Sequence, residues 1–306
     1  MEISLNLKSN FNLPIYCNLC ALPHDKIFST QHKIKFRHPA DIFFRRFKEI
    51  VTCLNDLKSF VNGNRDYESL ENKLRQYLLS IDTFYDNLFN IIVCLKPPSD
   101  GNMHNAFQWL NENGYREGEK LRESTLRYHR LISSIVNKIK HDDPEINPIS
   151  LTWDNGIEVT GFFIASIVDG EYIGPDPKIH KSYKGLSTAF SFNHFLLKTI
   201  GLVYLYSYEL NRILFNGKKT YFNKKINEFY QLAEFALQIE PYFFPDEYNI
   251  PAAKVKKTEN KILIKFPYKY KRNKPKKETW TVSSLIRFNP RTNQGAGKIP
   301  YFGKPK

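Results

Sequence analysis

The sequence predicts a mainly α fold: a helical bundle that carries a β-meander insertion and ends in a small basic β unit. Three observations lead there. Apolar residues recur at spacings of three and four over long stretches between residues 38 and 240. Asp154-Asn155-Gly156 and Asp169-Gly170 are tight-turn signals set between short apolar runs. Residues 261–271 alternate between apolar and mostly basic positions, as a strand with two unlike faces does. With 42% hydrophobic and 15% aromatic residues in a chain of 306, a large core is expected and general disorder is not.

Residues 1–37 form a mixed segment with short strand-like runs and no clear period. The helical body spans 38–245. A helix begins after His38-Pro39, where proline suits a first helical position. Phe43, Phe47, Ile50, Leu54, Leu57 and Val61 draw one apolar stripe that stops at Asn62-Gly63-Asn64. A longer stripe runs from Tyr67 to Leu95 and ends at Pro97-Pro98. Two such helices joined by a short glycine turn make an antiparallel pair. Further helices are predicted over 102–113 and from about Glu117 to His141. A three-stranded β insertion at about 147–176 follows, and then helices over 187–215 and 222–240. Phe195–Tyr206 is the most membrane-like stretch, but about twelve residues fall short of the roughly twenty that a spanning helix needs. No membrane partner is expected.

Residues 246–306 make up the basic β unit and a loose extension. Residues 254–306 carry sixteen Lys or Arg against two acids, Glu259 and Glu278, so this segment holds a net charge equal to the whole chain's +14. The preceding 253 residues are balanced. A neutral body with a basic tail suggests an anchor for a polyanion. Ile262, Ile264, Phe266, Tyr268 and Tyr270 alternate with Lys261, Lys265, Lys269 and Lys271. Trp280, Val282, Ser284, Ile286 and Phe288 alternate again, which predicts a two-stranded unit. Its connection holds Arg272, Lys274, Lys276 and Lys277. Lysines along a strand match the phosphate spacing of a nucleic acid, and Tyr268, Tyr270 and Tyr301 are candidates to stack on bases. An acidic partner protein, an anionic membrane surface or a merely solubilising face are the alternatives.

The chain Ser134, Asn137 and His141, with Arg130 four residues earlier, makes a polar stripe near the end of an amphipathic helix, flanked by Lys138 and Lys140. The segment Asn137-Lys138-Ile139-Lys140-His141 resembles the helix-terminal motif of the HEPN superfamily of helical-bundle ribonucleases and RNA-binding proteins. Asn137 matches the motif's polar residue and His141 its histidine, while Val136 stands where the family has arginine. The resemblance implies RNA as partner ahead of DNA, a homodimer or larger complex, and a role in phage defence or as a toxin. It makes the chain a candidate metal-independent endoribonuclease. His141 is then the acid or base, Asn137 its orienting partner, and Lys138 or Lys140 the phosphate contact. The alternatives are a non-catalytic nucleic-acid-binding subunit and a protein-interaction module, with His141 simply capping the helix.

No cofactor and no metal site are expected. Cys17, Cys20, His24 and His32 have zinc-like spacing at one end only, and Cys53 and Cys94 sit on helical patterns. Four cysteines and no leader-like start fit a cytoplasmic protein.

Overall fold

The computed structural model describes residues 1–6, 13–61, 67–99, 103–142, 144–168, 172–218, 220, 226–271, 279–284 and 297–302. In chain order the elements are β1 (Glu2–Asn6), α1 (Pro14–Cys20), α2 (Pro39–Val61), α3 (Tyr67–Val93), α4 (Ala106–Glu112), α5 (Arg116–His141), β2 (Ile146–Trp153), β3 (Glu158–Val168) and β4 (Tyr172–Pro175). There follow β5 (Ser182–Tyr183), β6 (Leu186–Ser187), β7 (Phe190–Ser191), α6 (Phe192–Phe215), α7 (Glu228–Gln238), β8 (Ala252–Lys257), β9 (Lys261–Tyr268) and β10 (Trp280–Ser284). Among the described residues, 50% are helical and 21% are in strands. The fold is thus mixed α/β, which corrects the mainly α expectation of a bundle with one insertion and a small β unit. Two sheets, each with an apolar face in the interior, replace the insertion and the appended unit.

The helical stripes pack as their periodicity requires. Phe43 and Phe47 of α2 meet Phe84 of α3 at ring distances of 5.5 and 6.2 Å. Helix α4 is capped by the Asn105 side chain, which accepts from the Gln108 amide, and α6 by Ser191, which accepts from His194. Residues 187–191, predicted as helix, are strand and loop up to that cap. Residues 14–20, predicted as part of a mixed segment, form α1.

The first sheet has the order β1-β9-β8. The predicted partnership of 261–271 with 280–288 does not form among the described residues. Strand β9 pairs instead with β1 and β8 on its two sides, and β10 pairs with β2 in the second sheet. The apolar positions of β9 explain the choice. Ile262, Ile264 and Phe266 are fully buried, as are Leu5 of β1 and Ala252 and Ala253 of β8. Together these close over α6, where two strands alone would leave much of the helix wet. Residues 285–288, like the turns at 62–64 and 169–170, lie outside the described residues.

The second sheet has the order β10-β2-β3-β4, with β7 also on β3. Its hairpin turn works because Gly156 takes φ +80°, a conformation glycine adopts freely. One face joins the main core through Phe162, which meets Phe195 at 5.1 Å. The other face covers a smaller cluster that includes Leu151, Phe163, Phe244 and Tyr301. Tyr301 is therefore buried, and residues 297–302 pack against the sheet where a loose extension was expected.

Between the stretches of β3 that pair with β4 and with β7, a side chain completes the ladder. The Ile164 amide donates to Nε2 of buried His180 (2.9 Å), and the Ile164 carbonyl accepts from Asp176. Desolvation lowers the His180 pKa to about 3, against an opposing Asp176 charge.

Two predictions follow from these contacts. A Cβ built on Gly201 of α6 would lie 2.3 Å from Cδ2 of buried Phe266. Gly201→Ala is expected to lower stability by about 1–3 kcal/mol in urea unfolding, through overpacking. An unchanged midpoint would show that the sheet is free to shift off α6. For His180, the unfolded imidazole takes up its proton near 6.5 and the folded one only near 3. Stability from this site is complete above pH 6.5 and is lost as pH falls towards 3. Imidazole ¹⁵N shifts of the folded protein should report a neutral His180 at pH 5; a charged ring there contradicts the account.

Candidate functional site

The first sheet presents its charge on the face turned away from α6. The register aligns Glu2, Lys265 and Lys254 in one cross-strand row and Ser4, Leu263 and Lys256 in the next, with Asn6 beside Lys261. Lys256, Lys261 and Lys265 are exposed on this face and Lys254 is half-buried there, while Lys257, opposite the buried Ile262, and Lys269 and Lys271, beyond the end of β9, are exposed at its rim. None of these seven ammonium groups pairs with a carboxylate among the described residues. Lys261 and Lys265 alone stand about 13 Å apart, two strand repeats. Lys256 fills the gap opposite Leu263. The result is a two-dimensional patch rather than a single row. Glu2 is an acid set into it.

Tyr268 sits within this patch. Lys254 Nζ donates to its hydroxyl (2.9 Å) and lies 4.4 Å from its ring centre. That hydrogen bond, then the charges of Lys254, Lys256 and Lys271, lower the phenol pKa, which registers the positive potential of the face. Tyr270 is placed differently. Its hydroxyl donates to the Ala253 carbonyl (2.7 Å) and its ring packs on Phe243. Tyr301 is buried with its hydroxyl on Asp246. Of the three tyrosines, only Tyr268 is presented to a ligand. Arg272, Lys274, Lys276 and Lys277 lie outside the described residues.

The candidate residues at the end of α5 do not converge. His141 and Asn137 are both exposed, and Val136 is fully buried in the main core. Lys138 is held by Asp176 (2.8 Å) and Asp142 (3.1 Å), and the Asp176 bond leads in raising its pKa. It ties α5 to the end of β4. Lys140 reaches Asp82 of α3 (3.1 Å). Asn137 and Lys140 lie on one face of α5 and line a cleft against α3 and α4, whereas His141 and Lys138 point elsewhere.

At the base of that cleft is a group the sequence pattern did not single out. Asp82 Oδ1 stands 3.3 Å from Nε2 of buried His129, whose Nδ1 bonds the Tyr206 hydroxyl (2.9 Å). The imidazole stacks on Tyr85 at 3.8 Å. Burial alone raises the Asp82 carboxyl, but the bonds from His129 and Lys140 outweigh it and hold the pKa below its ordinary value. Both imidazole nitrogens are occupied, so His129 braces the cleft wall and is not a free base. Asp82 and His129 sit on different helices, 47 positions apart, and no local spacing marks them. Lys254, Lys256 and Lys257 had a signal: Lys254 and Lys256 already alternate with apolar neighbours on one strand.

Among the described residues, no three His, Cys, Asp or Glu side chains come together to hold a metal ion. His32 directs its Nε2 at the carbonyls of Val93 and Lys96, away from any ligand set with Cys17 and Cys20. No helix among them is long and apolar enough to cross a membrane.

Lys254→Met is expected to raise the apparent pKa of Tyr268, because it removes the leading cause of the lowering. Ultraviolet titration of phenolate, with Tyr268→Phe to assign the signal, checks this. No change on substitution would mean that Lys254 does not sit on Tyr268 in solution.

Compared with known proteins, the chain matches no family model, no curated protein and no solved structure.

Proposed function

We propose that this protein binds single-stranded nucleic acid, RNA ahead of DNA, on the outer face of the β1-β9-β8 sheet. The observation that carries the reading is the patch of lysines on this face and its rim, seven in all and without carboxylate partners among the described residues, around the half-buried Tyr268. Ammonium groups on a rigid sheet neutralise successive phosphates and release their counterions. An aromatic ring among them stacks on a base only when that base is unpaired, which favours single strands. Sheet faces that combine basic and aromatic side chains suit single-stranded RNA for the same reason. Few groups on this face read base edges, so contacts are with the backbone and selectivity for sequence is low.

Binding without cleavage is the reading this geometry favours over an endoribonuclease. The position of the motif's arginine, Val136, lies in the core. His141 stands exposed at a helix end, and neither Lys138 nor Lys140 is free, since each holds an aspartate.

A fluorescence titration of labelled single-stranded RNA across a salt series tests both parts. Six or seven phosphate contacts at about 0.7 each give a log–log slope of about −4 to −5. Lys261→Glu combined with Lys265→Glu should weaken binding at least about tenfold and flatten the slope by more than 1. Metal-free incubation should leave the RNA intact with wild type and with His141→Ala alike. A slope near zero, or tight binding that RNA does not compete away, defeats the polyanion reading. Cleavage lost in His141→Ala restores the ribonuclease.

A further inference from the structure

The cleft between α3, α4 and α5 has a volume of about 470 Å³, within the range of small-ligand sites. Its base is closed by the Asp82–His129–Lys140 group, whose charges are already matched. Its walls carry groups that are not. Arg122 is exposed and holds its guanidinium 4.7 Å over the Phe107 ring, with no carboxylate partner among the described residues. Stacking fixes the plane of the guanidinium and leaves its donor edge free, which is the arrangement suited to a phosphate. His104 is exposed on the same lining. Asp86, also exposed there, has no ion pair or hydrogen bond among the described residues, and the charges acting on it are those of Asp82, His129 and Lys140. Desolvation and then the Asp82 charge raise its pKa. Asn137 lines the cleft further along α5.

The cleft thus offers donors at Arg122 and His104 and an acceptor at Asp86, with an aromatic wall. A simple anion satisfies only the first part and a simple amine only the second. The geometry points to a nucleotide unit as the ligand, with its phosphate at Arg122 and His104 and the donor edge of its base at Asp86. This ligand is either a free mononucleotide or the terminal unit of an RNA strand. The site is separate from the lysine face and does not depend on binding there.

The test is calorimetric titration of wild type with adenosine and uridine 5′-monophosphate, inorganic phosphate, and a short single-stranded RNA with a 5′-phosphate. The comparison proteins are Arg122→Ala, Asp86→Asn and the Lys261→Glu/Lys265→Glu protein. Arg122 and Asp86 are exposed, so these variants are expected to fold, and circular dichroism checks that they do. If the ligand is free nucleotide, a monophosphate binds wild type and the sheet variant equally. It binds at least about tenfold more weakly to Arg122→Ala and to Asp86→Asn. If it is a strand end, only the RNA binds, and the loss in Arg122→Ala is additive with that of the sheet variant. No binding of any probe beyond what the sheet variant abolishes overturns the site. So does inorganic phosphate binding as tightly as the nucleotides, or affinity unmoved by either cleft variant. RNA binding lost in the sheet variant alone leaves the lysine face standing while this inference fails.

Discussion

Helix α6 has no face that it can leave in water. Every residue from Thr199 to Ser207 is buried, more than two full turns, so the helix must be enclosed from all sides. The rest of the chain is arranged to enclose it. On α3, Tyr77 bonds Thr199; on α5, His129 bonds Tyr206; and the carbonyl of Phe229 in α7 accepts from Tyr204. The sheet closes the remaining side, where the missing side chain of Gly201 admits the ring of Phe266. The hydroxyls of Thr199, Tyr204 and Tyr206 find partners on the elements covering them, and that of Ser207 bonds back to the Val203 carbonyl, as burial demands. Both surfaces discussed above inherit their positions from this enclosure. The lysine face is the back of the strand that covers Gly201. The cleft wall is the histidine that covers Tyr206.

The start of α6 is fixed by a second constraint, the buried carboxyl of Glu247. It accepts from the Ser191 amide and hydroxyl and from the Phe244 amide, and lies 3.6 Å from Nδ1 of His194. A carboxyl removed from water is tolerable only with several such donors, and removing one partner of such a group is costly. The neighbouring Asp246 takes the hydroxyl of Tyr301. Segments more than a hundred residues apart are thereby pinned at one point, joining the helical layer to the second sheet.

The helices were legible because each buries one stripe, and a stripe is a local pattern. Helices α2 and α3 start or end beside the proline signals, and α5 ends where Pro144 and Pro148 follow. The strands were legible as strands but not as partners. Alternation at 261–266 marks an inner and an outer face, yet nothing in it says that β1, some 260 residues earlier, lies alongside. Pairing is chosen by what the apolar face must cover, and that is a property of the whole molecule. The same gap explains the site. Lys261 and Lys265 were visible from alternation, but the row becomes a patch through the hairpin partner β8, whose Lys254 and Lys256 the register sets beside it. Asn137 and Lys140 carried a local helical spacing, while Asp82 and His129 are joined only by the packing of α3 on α5.

The register that builds the patch also sets Lys254 directly opposite Lys265, a like-charge pair that weakens a sheet. Strand β8, moreover, is an edge, and edges invite other chains to add on. Lys256 and Lys257 near its end make that addition unfavourable. The like charges along this face oppose the addition of a second copy of the same strand at that edge, and an anion bound there would offset them. Charge on this one sheet thus bears on its pairing as well as on what it attracts.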